Sequence, residues 1–229
     1  MKTLSLIFVM LFNLSLGAQN NYELNSALDF YRSSQMEKGE VKNILSETDI
    51  EGSPYLNYEF INGNVYTKSK TQYTDIPLRY NIYNDEVEFK SLEGSIEAIT
   101  DPETIEKVTV GDNVLVYIPY LTFKKTNQGF FKLITDGPTK LYARANIQYK
   151  EPVPAAPYKD AEPAKFVKKE DTYYIRFGEE AAQLIENKKD LVKVFPDHKK
   201  EIAAFIKNNK INHRKEDKLK ELVDYYNTL

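Results

Sequence analysis

The sequence contains no cysteine, no tryptophan and only two histidines, and its nine glycines are spread singly. Without cysteine the chain forms no disulfide, so its core must supply the stability, and both cysteine catalysis and a cysteine–histidine zinc cluster are excluded. Both histidines, His198 and His213, lie near the carboxyl end in polar surroundings. No glycine-rich phosphate loop and no calcium-binding spacing occurs. The sequence therefore predicts no cofactor, no metal site and no catalytic residue.

An excess of positive charge is also lacking, since the formal net charge is −3. Nucleic acids and anionic lipids are bound largely through an excess of lysine and arginine. The charge therefore argues against both as general partners, and the sequence predicts no nucleic-acid partner.

Long apolar runs are absent except at the amino end, where an apolar run from Leu4 to Leu16 follows Lys2 and precedes Gly17-Ala18. A membrane span needs about 20 apolar residues. The shorter run is typical of a secretory signal peptide at residues 1–18, which predicts export and a mature chain that starts near Gln19. Because no cysteine can carry a lipid and no later run could span a bilayer, we expect a soluble protein without membrane insertion.

The exported chain is predicted to begin with an N-terminal segment, residues 19–40, in which residues 22–36 could form a short helix. From 41 to 177 the apolar residues alternate with polar ones, as in half-buried strands. Residues 140–149 show this best, 56–60 and 78–83 show it too, and turn signals separate the runs. Residues 114–121 are apolar on both faces, which is typical of a central strand.

A proline-rich stretch at 151–163 interrupts this region and predicts an extended surface crossing, with a proline-rich ligand motif as the alternative. Helical periodicity follows in residues 178–229. We expect helices at 179–186, around 189–195, after Asp197 as the capping residue, and at 215–226. The fold class predicted is α+β: an antiparallel β-meander, either an open sheet or a partly closed barrel, followed by a C-terminal cluster of three to four short helices packed on the sheet.

Tyrosine is abundant, with 17 residues, and six of them fall between Tyr55 and Tyr83. Such rings could form ordinary sheet packing or a platform for a sugar or an apolar ligand. Alternation places Tyr80 on the core face, and Arg79, Asn81 and Tyr83 together on the other face. These three residues are the candidate ligand-binding site.

Paired carboxylates could support glycosidase-like hydrolysis. The sequence places Asp85, Asp112 and Asp136 beside asparagine or glycine, however, so turn chemistry explains them. The hydrolase stays open as an alternative, and it requires two carboxylates with raised pKa in one pocket.

Four short motifs resemble a family of small exported proteins of Bacteroidota-type bacteria that carries no assigned activity. They are Gly52–Asn57, Pro77–Asn81, Asp171–Tyr174 and Tyr225–Asn227. The resemblance implies a periplasmic or secreted setting and no catalytic residue. The end of the chain does not look like a β-type secretion-sorting domain, which favours the periplasm over the extracellular space.

These observations lead to a non-catalytic exported binding or interaction module as the predicted function, with a carboxylate-dependent hydrolase as the alternative. The expected partner is a protein or glycan of the cell envelope, met through a sheet face, a sheet edge or the tyrosines.

Overall fold

The computed structural model describes residues 50–123 and 125–229. The predicted signal peptide at 1–18, the segment 19–40 and its helix at 22–36 lie outside the described residues.

The described chain is mainly antiparallel β-structure. Its strands are β1 (Ile61–Thr67), β2 (Gln72–Asn81), β3 (Glu86–Lys90), β4 (Ile96–Ala98), β5 (Ile105–Val110), β6 (Asn113–Thr122), β7 (Lys125–Thr135), β8 (Thr139–Arg144), β9 (Ile147–Lys150), β10 (Lys165–Lys168), β11 (Thr172–Phe177) and β12 (Gln183–Leu184). Ten of them form one sheet in the order β12-β11-β8-β7-β6-β5-β1-β2-β3-β4, while β9 and β10 form a separate two-stranded sheet. The large sheet curls into a half-barrel.

In the second half of the sheet, the chain just before β12 returns to β6. The N–H of Leu121 donates to the carbonyl of Ala182 at 2.9 Å, and the N–H of Ala182 donates to the carbonyl of Pro119 at 2.9 Å. A parallel bridge between Tyr120 and Ala182 accompanies these bonds. The strands from β6 to β12 therefore enclose one buried cluster: Ile118, Tyr120, Phe131, Tyr142, Tyr174 and Ala182.

The first half of the sheet buries a second cluster, formed by alternate residues as the pattern predicts: Val65, Leu78, Tyr80, Ile82, Val87, Ile105, Val108, Val110, Leu115 and Phe130. The prediction that Tyr80 belongs to the core is confirmed, since only 3 % of it is exposed. The prediction of a central strand at 114–121 is also confirmed, because β6 lies between β5 and β7 and contributes to both clusters.

Two strand predictions were wrong in extent or position. The ten-residue strand at 140–149 is two strands, β8 and β9, which belong to different sheets. The break falls at Asn146, whose side-chain amide donates to the carbonyls of Arg144 and Glu170, both at 3.1 Å. An asparagine side chain that binds nearby carbonyls offers the backbone an alternative to the ladder. Residues 56–60 form bends, although the N–H of Leu56 donates to the carbonyl of Tyr80.

Three short helices follow the sheet: α1 (Asp190–Lys193), α2 (Lys199–Asn208) and α3 (Glu216–Tyr226). The predicted class, α+β, is therefore corrected to a mainly β fold with few helices. The predicted helix at 179–186 is wrong, because this segment forms a turn and then β12. The guanidinium of Arg176 holds the turn by donating to the carbonyls of Glu180 at 2.6 Å and Glu179 at 2.9 Å.

The predicted cap of α2 is also wrong. The residue before the helix is His198, in a left-handed conformation with φ of 47°, and no side chain caps the first turn. The carboxylate of Asp197 accepts a hydrogen bond from the hydroxyl of Tyr226 at 2.5 Å instead. The carboxylate of Asp197 therefore binds a residue of α3 and does not cap the first N–H groups of α2.

The helices cover one side of β8 and β11. The predicted helix at 215–226 is confirmed as α3, and its apolar face, Leu219, Leu222 and Val223, is fully buried against strand residues such as Leu141 and Ile175. None of the helices in the described part of the chain is long and apolar enough to cross a membrane.

Candidate functional site

Two of the three candidate residues bind a buried carboxylate of the protein itself. The Nε of Arg79 donates to Oε2 of Glu88 at 2.7 Å, and Nδ2 of Asn81 donates to Oε1 of the same side chain at 2.9 Å. Glu88 is fully buried. Since a buried charge requires a partner and full hydrogen bonding, these contacts explain why Arg79 lies opposite Glu88 and why Asn81, two residues further along β2, binds the same carboxylate.

Two aromatic rings cover Arg79 from the other side. Its Cζ lies 3.7 Å from the ring centroid of Tyr55 and 4.4 Å from that of Phe60, and Nη2 donates to the hydroxyl of Tyr55 at 2.8 Å. These are cation–π distances. The segment 55–60, of which 56–60 is the predicted strand, therefore covers the polar cluster with the rings of Tyr55 and Phe60.

The third candidate, Tyr83, lies beyond the end of β2 and remains on the surface. Its ring packs edge-on against Phe166 at 5.4 Å and Tyr149 at 6.4 Å between centroids. These two partners lie on β10 and β9, so Tyr83 contacts both strands of the small sheet. We call this group of three rings the aromatic base. About a third of Tyr83 is exposed, at 37 %.

Above the aromatic base, the proline-rich stretch forms an antiparallel hairpin rather than the predicted surface crossing. Val153 and Glu162 exchange two backbone hydrogen bonds of 2.8 and 2.9 Å, and Ala156 and Lys159 exchange two of 3.0 and 2.9 Å. We call residues 151–164 the arm. Proline cannot donate to a ladder, but each paired residue is one that retains its N–H, so the pairing continues irregularly between the prolines.

The arm is exposed from residue 153 to residue 161, and Tyr158 at its tip is fully exposed. The backbone of Tyr158 is left-handed, with φ of 65°, directly after Pro157. Proline followed by a residue with positive φ is the arrangement of a type II turn, in which the second position normally holds glycine or asparagine. A bulky aromatic residue there is a conformational outlier.

The base of the arm is attached to the body by the chain at Glu51. Its N–H donates to the carbonyl of Ala164 at 2.9 Å, and its carbonyl accepts from the N–H of Phe166 at 2.8 Å. The next residue, Gly52, has φ of 79°, and a Cβ there would lie 2.4 Å from the carbonyl oxygen of Phe166. Only glycine fits this close approach, which accounts for one residue of the Gly52–Asn57 motif.

A second polar cluster closes the half-barrel. Asp85, in the turn between β2 and β3, accepts a hydrogen bond from Nη2 of Arg144 at 2.9 Å, from the hydroxyl of Tyr80 at 2.7 Å and from the N–H of Phe130 at 3.1 Å. A Cβ on Gly129 would lie 2.5 Å from Oδ2 of Asp85. The turn that carries Asp85 therefore contacts β7 at Phe130 and the end of β8 at Arg144. We call this contact the Asp85 latch.

The latch perturbs its neighbours electrostatically. Burial raises the pKa of Tyr80 well above its usual range, and the charge of Asp85 and the hydrogen bond to it act in the same direction. Burial also raises the pKa of Tyr117, with a further contribution from Asp85. For Arg144 burial acts to lower the pKa, but the charge of Asp85 acts against it and the net pKa is raised.

Within the described part of the chain, the carboxyl groups with raised pKa are Glu86 and Asp171, in both cases chiefly through burial. The neighbouring charges on Glu86 come from Glu88 and Asp85, whereas those on Asp171 come from Lys168, Lys132 and Glu216. The two groups therefore sit in different electrostatic environments. Among residues 50–123 and 125–229, no group of three or more acidic or histidine side chains is placed to hold a metal ion.

Comparison of the chain with protein-family models, with curated proteins and with solved structures gives no match.

Sequence reasoning missed both the latch and the arm. Asp85 was assigned to turn chemistry, and it does lie in a turn with φ of 59°, but its side chain also binds Arg144, 59 residues away. The arm had a readable signal. Two short runs with aromatic and β-branched residues, at 147–150 and 165–168, flank the prolines, and Pro157-Tyr158 lies midway between them.

Proposed function

We propose that this protein is a non-catalytic interaction module that is exported to the periplasm and contacts an envelope partner through its arm. The observation that carries the proposal is Tyr158, a fully exposed aromatic side chain at the tip of a proline-rich hairpin, in a backbone conformation that tyrosine disfavours. A protein or a glycan of the cell envelope is the partner class.

The backbone of Tyr158 supports this role because asparagine or glycine would occupy the same turn with less strain. A non-glycine residue in the left-handed region costs of order 1–3 kcal/mol. Nothing in the fold compensates for that cost through burial, since the side chain contributes no packed surface. A contact made outside the chain explains why an aromatic residue occupies the position.

The prolines fit the same role. Pro152, Pro154, Pro157 and Pro163 restrict φ along the arm and thereby lower the entropy lost when the arm is held by a partner. They also remove backbone donors, so the arm is a poor template for uncontrolled strand pairing. Recognition would therefore depend on side chains, with Tyr158 as the anchor and the exposed part of Tyr83 at the base of the arm as a second contact.

The candidate trio contributes unequally to this proposal. Arg79 and Asn81 both bind the carboxylate of Glu88 inside the protein. Tyr83 is therefore the member of the trio that a partner could reach, at the aromatic base. The non-catalytic part of the proposal is supported by the same cluster. A glycosidase nucleophile must meet its substrate, whereas Glu88 is fully buried and both its carboxylate oxygens are bound within the protein.

Site-specific photo-cross-linking in the native host tests the proposal. Benzoylphenylalanine at position 158 preserves an aromatic tip and reports whatever lies within reach of it. We expect a discrete adduct from position 158, and none from position 58, where Tyr58 is exposed but lies outside the arm. The same adducts from both positions, or no adduct from 158, would overturn the proposal.

A further inference from the structure

The hairpin turns at one end of the large sheet carry a second group of exposed apolar side chains. β1 runs towards the turn at 68–71, β3 towards the turn at 91–95, and β6 towards the turn that follows Thr122. Because β1 pairs antiparallel with both β2 and β5, β2 with β3 and β5 with β6, these three turns lie at the same end of the sheet. We call this end the rim.

Contacts between neighbouring loops support this placement. The N–H of Lys68 donates to the carbonyl of Thr104 at 2.8 Å, which joins the first turn to the segment before β5. The side chain of Gln128 on β7 donates to Glu103 at 3.2 Å, which joins that segment to the third hairpin. The first and third turns of the rim are therefore connected through the segment before β5, while the turn at 91–95 is placed at this end by the strand pairing.

Exposed apolar side chains are concentrated at the rim. The described part of the chain exposes ten large apolar side chains, and five belong to this end: Tyr73, Leu92, Ile96, Leu121 and Phe123. Leu92 and Phe123 are fully exposed and lie in the turns themselves. Phe123 also has a left-handed backbone, with φ of 52°, where glycine or asparagine would fit with less strain.

The charges around these side chains are of both signs and balanced. Four exposed lysines at the rim stand among five exposed acids: Lys68, Lys70, Lys90 and Lys125 with Glu93, Glu97, Asp101, Glu103 and Glu106. A rim of this kind has no net attraction for an anionic surface. Exposed apolar side chains that are separated by polar loop residues can each enter a fluid lipid interface singly. A rigid protein groove would instead require them to be adjacent.

From the topology, the exposed tips and the balanced charge, we propose that the rim makes a shallow contact with the interface of a zwitterionic lipid bilayer, with Leu92 and Phe123 as the inserting side chains. This contact does not cross the bilayer, and it leaves the arm available to its own partner. It does not depend on the arm, so either proposal can fail while the other stands.

Vesicle flotation with the mature chain tests the lipid contact. The probe is vesicles of phosphatidylethanolamine and phosphatidylcholine, with a second set that contains phosphatidylglycerol. We expect the chain to float with both sets to a similar extent. Because burying a leucine or phenylalanine side chain is worth roughly tenfold or more in an equilibrium, Leu92→Ser and Phe123→Ser should each weaken partitioning about tenfold.

The matched control is Tyr158→Ser, which removes an equally exposed aromatic residue from the arm and should float like the unaltered chain. An unchanged urea midpoint would show that both rim variants remain folded, since neither side chain is buried. Absence of flotation for the unaltered chain, flotation of the rim double variant at full strength, or binding only to vesicles with phosphatidylglycerol would overturn the proposal. Self-association that the rim double variant abolishes without lipid would assign the rim to a protein contact instead.

Discussion

Replacing Asp85 by asparagine isolates the charge of the latch. Asparagine tolerates the left-handed backbone at this position and keeps an oxygen that can accept from Tyr80 or from the N–H of Phe130. It loses the ionic bond to Arg144. A hydrogen bond to a charged group contributes about 1.5–3 kcal/mol. The two side chains are 22 and 20 % exposed, so the lower part of that range, about 2 kcal/mol, applies.

Replacing Asp85 by glycine removes all three acceptor contacts without straining the turn. It leaves the hydroxyl of Tyr80, a residue that is only 3 % exposed, and the N–H of Phe130 without Asp85 as their partner. Breaking a buried pair on one side costs about 3–5 kcal/mol. We therefore expect the glycine variant to be less stable than the asparagine variant by about 1–3 kcal/mol.

Urea denaturation measures both effects. With a typical dependence of about 2 kcal/mol per molar urea, the midpoint should fall by about 1 M for Asp85→Asn and by about 2 M for Asp85→Gly. The matched control is Asp112→Asn, an exposed aspartate in the turn between β5 and β6, which should change the stability by less than about 0.5 kcal/mol. In an Arg144→Met background the asparagine substitution should have a smaller effect.

Equal midpoints for Asp85→Asn and the unaltered chain would contradict the claim that the Asp85–Arg144 ion pair stabilises the fold. They would mean that the half-barrel is closed by apolar packing alone and that the ion pair contributes nothing.

Three further outcomes follow from the structure. Leu222→Ala should lower the free energy of unfolding by about 2–5 kcal/mol, because the side chain is fully buried between α3 and the sheet. Burial, with the hydrogen bond to Asp197, raises the pKa of Tyr226 to about 12. The stabilisation that the protonated hydroxyl provides is therefore complete below pH 10 and is lost as the pH rises towards 12. In a pH series of urea midpoints, Tyr226→Phe should flatten that loss. Mass spectrometry of the protein from its host should show a mature chain starting near Gln19, and an intact Met1 in the envelope fraction would refute export.

Much of the sheet could be predicted because one-sided burial produces a period of two. The core position of Tyr80 followed directly from that pattern, whereas β6 was predicted from a run that is apolar on both faces. The error at 179–186 shows its limit: Glu179-Glu180 match the acids of a helix start, yet the guanidinium of Arg176 binds both of their carbonyls and fixes a turn. Arg176 lies only three and four residues before the acids, but a helical pattern does not show that its guanidinium would bind their carbonyls.

The candidate site shows the same limit. Alternation placed Arg79 and Asn81 on one face, and both do bind the same carboxylate, but it could not show that Glu88 from the next strand would be that partner. The latch depends on the curl of the whole sheet, which brings together Asp85 and Arg144 although they are 59 residues apart. No short pattern encodes that curl.

The central claim is that Tyr158 is retained for a contact outside the chain at some cost in stability. The measurement that tests it most directly is cross-linking from position 155, on the exposed part of the arm, in chains that carry either Tyr158 or Tyr158→Asn. Asparagine suits the left-handed turn, so the variant should be as stable as the unaltered chain or more stable by up to about 1 kcal/mol. The account predicts that the adduct from position 155 disappears in this stable variant. An adduct of undiminished yield would contradict it.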